Sequence, residues 1–336
     1  MTRAAITGTG FWVPERVVTN DDLAAIIDTS DEWITERSGI RERRWLRRDA
    51  DGNTEMPGAE MGARAAREAI AAAGIDKNTI DQVIYATLNP DVFFPGNGVF
   101  IEHLLELNTA GAMDIRNQCT GFVYGLAAAD GFIQSGVART VLVIGGEIQS
   151  TALDLTDRGR DMAVLFADGA GAAIVQATDE DRGILASVLH SQGRYARDLF
   201  AEAPIATVTG RMNQAMIEEG RHYPRMNGKM VFQHATRRFG EAIDEVLKKG
   251  GVTVDDVALL IPHQANQRIT DAVTARLGLP SERVYSNIAR YGNTTAASIP
   301  IALAEAVRAG RVQRGDLIVT VAFGSGFTWG ANLIRW

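Results

Sequence analysis

Along this chain of 336 residues, two apolar periods alternate. Short unbroken apolar runs of strand length occur at Val83-Ile84-Tyr85-Ala86, Thr140–Gly145, Val257–Ile261 and Leu317–Ala322. Such runs fit strands buried on both faces. Residues 3–8 read as a first strand, with Gly8-Thr9-Gly10 as the turn after it. Between the runs, apolar residues recur at helical spacing. Gly58–Ala73 is an alanine-rich helix stopped by Gly74, and Phe122, Leu126, Ala129 and Ile133 share one helix face. Phe232, Ala235, Phe239, Ile243 and Val246 mark a helix over Phe232–Lys249 closed by Gly250-Gly251. Ser30 or Asp31 can cap a short helix through Trp33, and Val164 to Val175 reads as a turn between two further strands.

The second part of the chain repeats the grammar of the first. In both, a helix ends at glycine, and a short acidic linker leads to a strand and then a polar loop. The unit is too long for a solenoid repeat. Two copies of one α/β half, residues 1–176 and 177–336, fit it. Each places polar residues just past a strand's carboxyl end, where α/β folds set their sites. The stretch 191–228 belongs to neither pattern. It is polar, carries Met212, Met216, Tyr223 and Met226, and is either a cover over a pocket or plain surface loop.

Hydrophobic residues make up 46% of the chain and charged residues 22%, as expected for a globular α/β protein. No apolar run nears the roughly 18–20 residues that span a bilayer, so no membrane insertion is expected. The first residues lack the apolar core of a signal peptide, and one cysteine allows no internal disulfide, so the cytoplasm is the expected compartment. The net charge of −7, from 34 basic and 41 acidic residues, argues against nucleic acid as a partner. The five histidines are scattered, and no metal site is expected.

Candidate chemistry gathers at three loops. Cys119 lies where an extended segment gives way to a helix, so backbone N–H groups and the helix dipole favour its thiolate. On this stretch alone, a lone cysteine is more often a small buried hydrophobe than a nucleophile. His263, in Pro-His-Gln-Ala-Asn, could activate such a thiol, and Asn293, in Tyr-Gly-Asn-Thr-Thr, could join it in binding a developing enolate oxygen. The cluster Arg41-Glu42-Arg43-Arg44 reads as a solvated face.

The wording of these loops is more specific than their residue types. Thr29-Ser30-Asp31-Glu32-Trp33-Ile34, Gly39-Ile40-Arg41-Glu42-Arg43, Cys119 with Gly121-Phe122, and Asp168-Gly169-Ala170-Gly171-Ala172 stand in order. His263-Gln264-Ala265-Asn266, Gly292-Asn293-Thr294 and Phe323-Gly324-Ser325-Gly326-Phe327-Thr328-Trp329-Gly330 follow. Essentially end to end, the chain resembles the ketoacyl-acyl carrier protein synthase III family of thiolase-like condensing enzymes. The resemblance implies a five-layered α-β-α-β-α fold of two similar halves and a homodimer. It implies that Cys119 accepts an acyl group from coenzyme A, and that His263 and Asn293 serve decarboxylative condensation with malonyl-acyl carrier protein. It implies backbone N–H groups of Cys119 and Ser325 as the oxyanion hole, and Trp33, Arg37, Arg160 and Asn266 for coenzyme A. Arg268 falls at a carrier-docking position, Gln233 stands at another that is usually basic, and Phe94 reaches across the dimer into the acyl pocket. Coenzyme A thioester is then substrate, and no cofactor is implied.

The match departs from the family before the nucleophile. Asn117-Gln118, preceded by Arg116, stands where the family usually has small residues, and the 191–228 insertion sits where the family builds part of its acyl pocket, which together predict a longer or unusual acyl group. The alternative activity is acyl transfer to a non-malonyl nucleophile without decarboxylation. Gly169-Ala170-Gly171 lacks the strand-to-helix setting of a dinucleotide site.

Overall fold

A computed structural model describes residues 2–107 and 109–336. Its first sheet comprises β1 (Arg3–Trp12), β2 (Gln82–Ala86), β3 (Gly111–Ile115), β4 (Thr140–Glu147) and β5 (Gly169–Thr178), in the order β1-β5-β4-β2-β3. The pairs β1/β5 and β5/β4 are antiparallel, and β4/β2 and β2/β3 are parallel. The second sheet comprises β6 (Gly183–Ser191), β7 (Val257–Pro262), β8 (Leu317–Gly324) and β9 (Thr328–Arg335), in the order β6-β9-β8-β7 with the same sequence of directions. Its counterpart of β3 is a single parallel bridge from Leu260 to Val284. The first sheet draws only on residues 3–178 and the second only on 183–335.

Between the sheets lie α4 (Gly121–Gln134) and α7 (Ser298–Arg308), one from each sequence repeat. Phe122, Leu126 and Ala129 pack there with Ile299, Ala302 and Leu303, against Val141 and Val143 of β4 and Ile318 and Ala322 of β8. The alternate residues of β4, Leu142 and Ile144, face outward onto α2 (Gly58–Ala73), which packs beside α3 (Asn97–Leu104). On the far side α5 (Gly228–Gly250) and α6 (Gln267–Leu277) cover Val319, Val321 and Leu333. The result is a thiolase-like α-β-α-β-α stack. Each fully buried Leu or Ile contributes about 1.5–3 kcal/mol, so the central layer holds the two sheets in register.

Three expectations need correction. Gly8-Thr9-Gly10 is not a turn, because β1 runs through it to Trp12 with one irregularity after Ile6. The glycines serve packing: a Cβ at Gly8 would lie 2.2 Å from the Ala69 carbonyl oxygen, and one at Gly10 2.4 Å from that of Ala65. They let α2 lie directly on the strand. Val164 to Val175 is not a turn between two strands. Only Gly169–Thr178 is a strand, preceded by a short helix at Arg160–Ala163 and an apolar loop. Nor is Arg43 on a solvated face. It is fully buried, donates to the carbonyls of Val164 (2.8 Å) and Val18 (3.3 Å), and burial lowers its pKa to about 10.

Candidate functional site

The chain leaves β3, turns at Gln118 with φ of 44°, and forms one 3-10 turn over Gln118–Thr120 before α4 begins. Thr120 pins the turn, its hydroxyl donating to the Asn117 carbonyl at 2.7 Å and meeting the Thr328 hydroxyl at 2.9 Å. Cys119 lies against Gly324, where a Cβ would come within 3.0 Å of its own Cβ. Cys119 is buried, 7% exposed. Burial pushes its pKa up to about 12, and the nearby carboxyl of Glu147 adds to the rise. This direction runs against the expected thiolate: burial disfavours the charged sulfur that the start of a helix would favour.

His263 follows directly on β7, its backbone N–H donating to the Val321 carbonyl at 2.8 Å. Its Nδ1 meets Ser298 Oγ at 2.6 Å, and its buried Nε2 has no hydrogen-bond partner. Burial lowers the imidazole pKa to about 3, so the ring is neutral. Ser298 Oγ also accepts the Gln264 backbone N–H at 3.3 Å. When that hydroxyl gives its own proton to Nδ1, Nε2 carries a proton outward; when it accepts, Nε2 presents a lone pair. Asn293 is fixed by its backbone to Leu165 and Ala167. Its Oδ1 accepts from the Thr295 N–H at 2.9 Å, which leaves Nδ2 as the free end.

Cys119, His263 and Asn293 line one cavity of about 660 Å³. Trp33 and Arg37, both from α1 (Asp31–Ser38), line it too, and Ser30 caps that helix by accepting the Trp33 N–H. The guanidinium carbons of Arg37 and Arg160 lie 4.6 and 4.9 Å from the Trp33 ring centre. Arg160 stands outside the cavity wall and donates to the Asp28 carbonyl at 2.9 Å. Asn266 caps α6 through Oδ1, while its Nδ2 donates to the Arg37 carbonyl at 2.8 Å, tying the two sides of the wall together. Arg268 is exposed over Phe232, and Gln233 lies on the same wall.

A second cavity of about 380 Å³ meets the first at Cys119, Phe166 and Leu199. Leu199, Ala203, Met212 and His222 wall it, so the 191–228 stretch is a cover and not plain surface loop. The Ser325 hydroxyl donates to the Leu199 carbonyl, fastening that cover to the loop after β8. Phe94 touches neither cavity. It is 76% exposed beside Phe93 and Val92. Asp168, part of the sequence motif, is structural: its buried carboxylate accepts from the backbones of Leu46, Gln149 and Ser150 and from the Ser150 hydroxyl.

Sequence reasoning misses Ser298 and Glu147. Ser298 acts through a residue 35 positions away, and no local signal marks it. Glu147 ends an apolar strand, fully buried, accepting from the Leu88 N–H at 3.0 Å and the Thr87 hydroxyl at 3.3 Å, and burial raises its pKa to about 8. An acidic residue closing a buried strand is the signal that could have found it. Among the described residues no three His, Cys, Asp or Glu side chains cluster as metal ligands.

Two family models match the chain. One, for 3-oxoacyl-[acyl-carrier-protein] synthase III, covers residues 113–193, and one for that family's C-terminal part covers 247–336. The chain is 44% identical over 331 residues to a protein of Symbiobacterium thermophilum named beta-ketoacyl-[acyl-carrier-protein] synthase III, covering 98% of this chain and 97% of that one. The crystal structure of 3-oxoacyl-[acyl-carrier-protein] synthase III from Aquifex aeolicus superposes with a TM-score of 0.89 at 43% identity, over 100% of both chains. A priming β-ketosynthase from a polyketide biosynthetic pathway superposes with a TM-score of 0.88 at 34% identity, over 99% of this chain and 96% of that one.

Proposed function

The chain belongs to the 3-oxoacyl-[acyl-carrier-protein] synthase III family of condensing acyltransferases, and from that premise we propose which residues carry out each step. The observation that carries the reading is the shared cavity of Cys119, His263 and Asn293, with a buried and unpartnered imidazole nitrogen.

Acyl-coenzyme A enters the larger cavity. Its adenine packs on Trp33, and Arg37 and Arg160 bind its phosphates, since guanidinium groups suit both stacking and phosphate. Asn266 holds this side of the site in place. His263, with Ser298 accepting from Nδ1, takes the thiol proton through Nε2 as Cys119 attacks the thioester carbonyl. The thiol's high pKa makes such an acceptor necessary. The oxyanion sits against the backbone N–H groups of Cys119 and Ser325. Coenzyme A leaves as the thiol and the acyl group stays on sulfur.

A malonyl-acyl carrier protein thioester then docks by its acidic surface near Arg268. Loss of carbon dioxide leaves an enolate whose oxygen lies between His263 Nε2–H and Asn293 Nδ2. Each such donor contributes roughly 10²–10³ in rate. The enolate carbon bonds to the acyl carbon, the bond from that carbon to Cys119 Sγ breaks, a 3-oxoacyl thioester leaves, and the sulfur returns to the thiol with a proton from solvent.

The working unit in this reading is a homodimer. Two observations support it: β3 ends its sheet with an exposed edge, and Val92, Phe93, Phe94 and Val99 form an exposed apolar group. Phe94 of one copy then reaches the acyl cavity of the other. We also place the division of labour between halves 1–176 and 177–336. Cytoplasmic work fits a chain whose one cysteine is a free thiol, and no described helix is long and apolar enough to cross a membrane.

The test is intact-protein mass after incubation with acyl-coenzyme A, followed by labelled malonyl-acyl carrier protein. One acyl adduct absent in Cys119→Ala, then stoichiometric carbon dioxide release, is the expected result. Product without released carbon dioxide would overturn the condensation in favour of transfer to another nucleophile.

A further inference from the structure

We infer that the acyl group loaded on Cys119 ends in a carboxylate, held at its far end by Arg116. This rests on the reading of Cys119 as acyl acceptor and names the substrate class of that site. The second cavity, about 380 Å³, falls in the ~300–1,000 Å³ range of small-ligand sites. It offers far more room than a two-carbon acyl group fills.

Its wall is mixed: Leu88, Met162, Phe166, Leu199, Phe200 and Met212 make it largely apolar, with polar side chains set among them. Arg116, Gln118, Gln149, His222 and Asn89 all line it, and no Asp or Glu does. Because the backbone turns over at Gln118, Arg116 and Cys119 face the same space although they lie three positions apart. The Arg116 guanidinium makes one long hydrogen bond, to the Leu88 carbonyl at 3.4 Å, and pairs with no carboxylate among the described residues. His222 adds a buried Nδ1 without a hydrogen-bond partner. An alkyl chain lying against Arg116 and His222 would cover under-bonded polar atoms and return no hydrogen bond. A terminal carboxylate matches the planar fork of the guanidinium and can accept from the Gln118 amide, whereas the amides of Asn89 and Gln149 already donate to the Ile148 carbonyl and to Glu147 and Thr295.

The loading step is ordinary thioester exchange. A bond forms between Cys119 Sγ and the acyl carbon, and the bond from that carbon to the coenzyme A sulfur breaks. The thiol proton ends on free coenzyme A, and the distal carboxylate is unchanged. Acyl groups of the succinyl and glutaryl type have this form.

The experiment compares rates of covalent labelling of the full chain, by intact mass, with succinyl-, glutaryl-, butyryl- and hexanoyl-coenzyme A. The dicarboxylic thioesters are expected to label about tenfold faster or more. In Arg116→Leu the ratio of succinyl to butyryl rates should fall by a similar factor, and Arg116→Lys should restore part of it. If butyryl or hexanoyl groups load Cys119 as fast as the dicarboxylic ones, the inference is overturned while the acyl-acceptor reading stands. An unchanged ratio in Arg116→Leu also overturns it. If none of the four labels Cys119, both fall.

Discussion

The two halves build the same strained turn, and only one of them holds a cysteine in it. In the first half, Gln118 with φ of 44° opens the 3-10 turn Gln118–Thr120 that leads into α4. In the second, Thr295 with φ of 47° opens Thr295–Ala297, which leads into α7. Non-glycine residues in this region cost about 1–3 kcal/mol, and the fold bears the cost twice. Cys119 therefore corresponds to Ala296. Each turn packs on the other half's sheet: Cys119 lies against Gly324 of β8, and the Ala296 carbonyl would be 2.2 Å from a Cβ at Gly145 of β4. The same comparison sets His263, just past β7, opposite Thr87, just past β2. The backbone device is common to both halves; in the proposed mechanism the chemistry is divided, with the acyl acceptor on one side and the enolate donors on the other.

The largest effect should come from moving the thiol between the mirrored turns. Cys119→Ala should abolish the acyl adduct, and adding Ala296→Cys should not restore it, because Ala296 is buried and lines neither cavity. An adduct on residue 296, detected by peptide mass, would break the asymmetry. A smaller effect is expected at Ser298. Ser298→Ala removes the group that orients the imidazole and should slow condensation about fivefold to tenfold, the equivalent of roughly one hydrogen bond. Ser298→Thr should recover part of that rate; equal rates in all three would show that the hydroxyl does not position His263.

Weaker still are the effects of pH. The folded Glu147 carboxyl holds its proton up to about pH 8, whereas the unfolded one loses it near 4.5. The folded state thus binds more protons in that window, and stability falls as pH rises through it. Glu147→Gln should raise the melting temperature by at least ~2 °C at pH 8.5 relative to the unsubstituted protein, with little difference at pH 4.5. His263 works at the acid end. Its folded pKa near 3, against 6.5 unfolded, means that the unfolded state takes up the proton first. Stability should decline as pH drops from 6.5 towards 3, and the rate of condensation should show no titration near 6.5. A rate limb there would mean an imidazole in contact with water.

What is legible in the sequence is what local pattern dictates. β4 and β7 are buried on both faces, so they read as unbroken apolar runs, and the glycine stops of α2 and α5 are local backbone requirements. Gly8 and Gly10 mislead because their reason lies in α2, more than fifty positions away. The apolar run from Val164 misleads because those residues are buried around Arg43 and the cavity rather than in a sheet. At the site, the helix start behind Cys119 can be read from the sequence and the burial that pushes its pKa upward cannot. The duplicated turns escape pattern reading altogether, since Gln118 and Thr295 carry no residue-level sign of a positive φ.

The most direct test of the divided chemistry is a two-step, single-turnover measurement on His263→Ala and Asn293→Ala: acyl adduct by intact mass, then carbon dioxide released on adding labelled malonyl-acyl carrier protein. Asn293→Ala should load Cys119 fully and release carbon dioxide roughly 10²–10³ times more slowly, with His263→Ala impaired in both steps and more deeply in the second. Unimpaired carbon dioxide release from either acyl-enzyme would contradict the assignment of condensation to the second half.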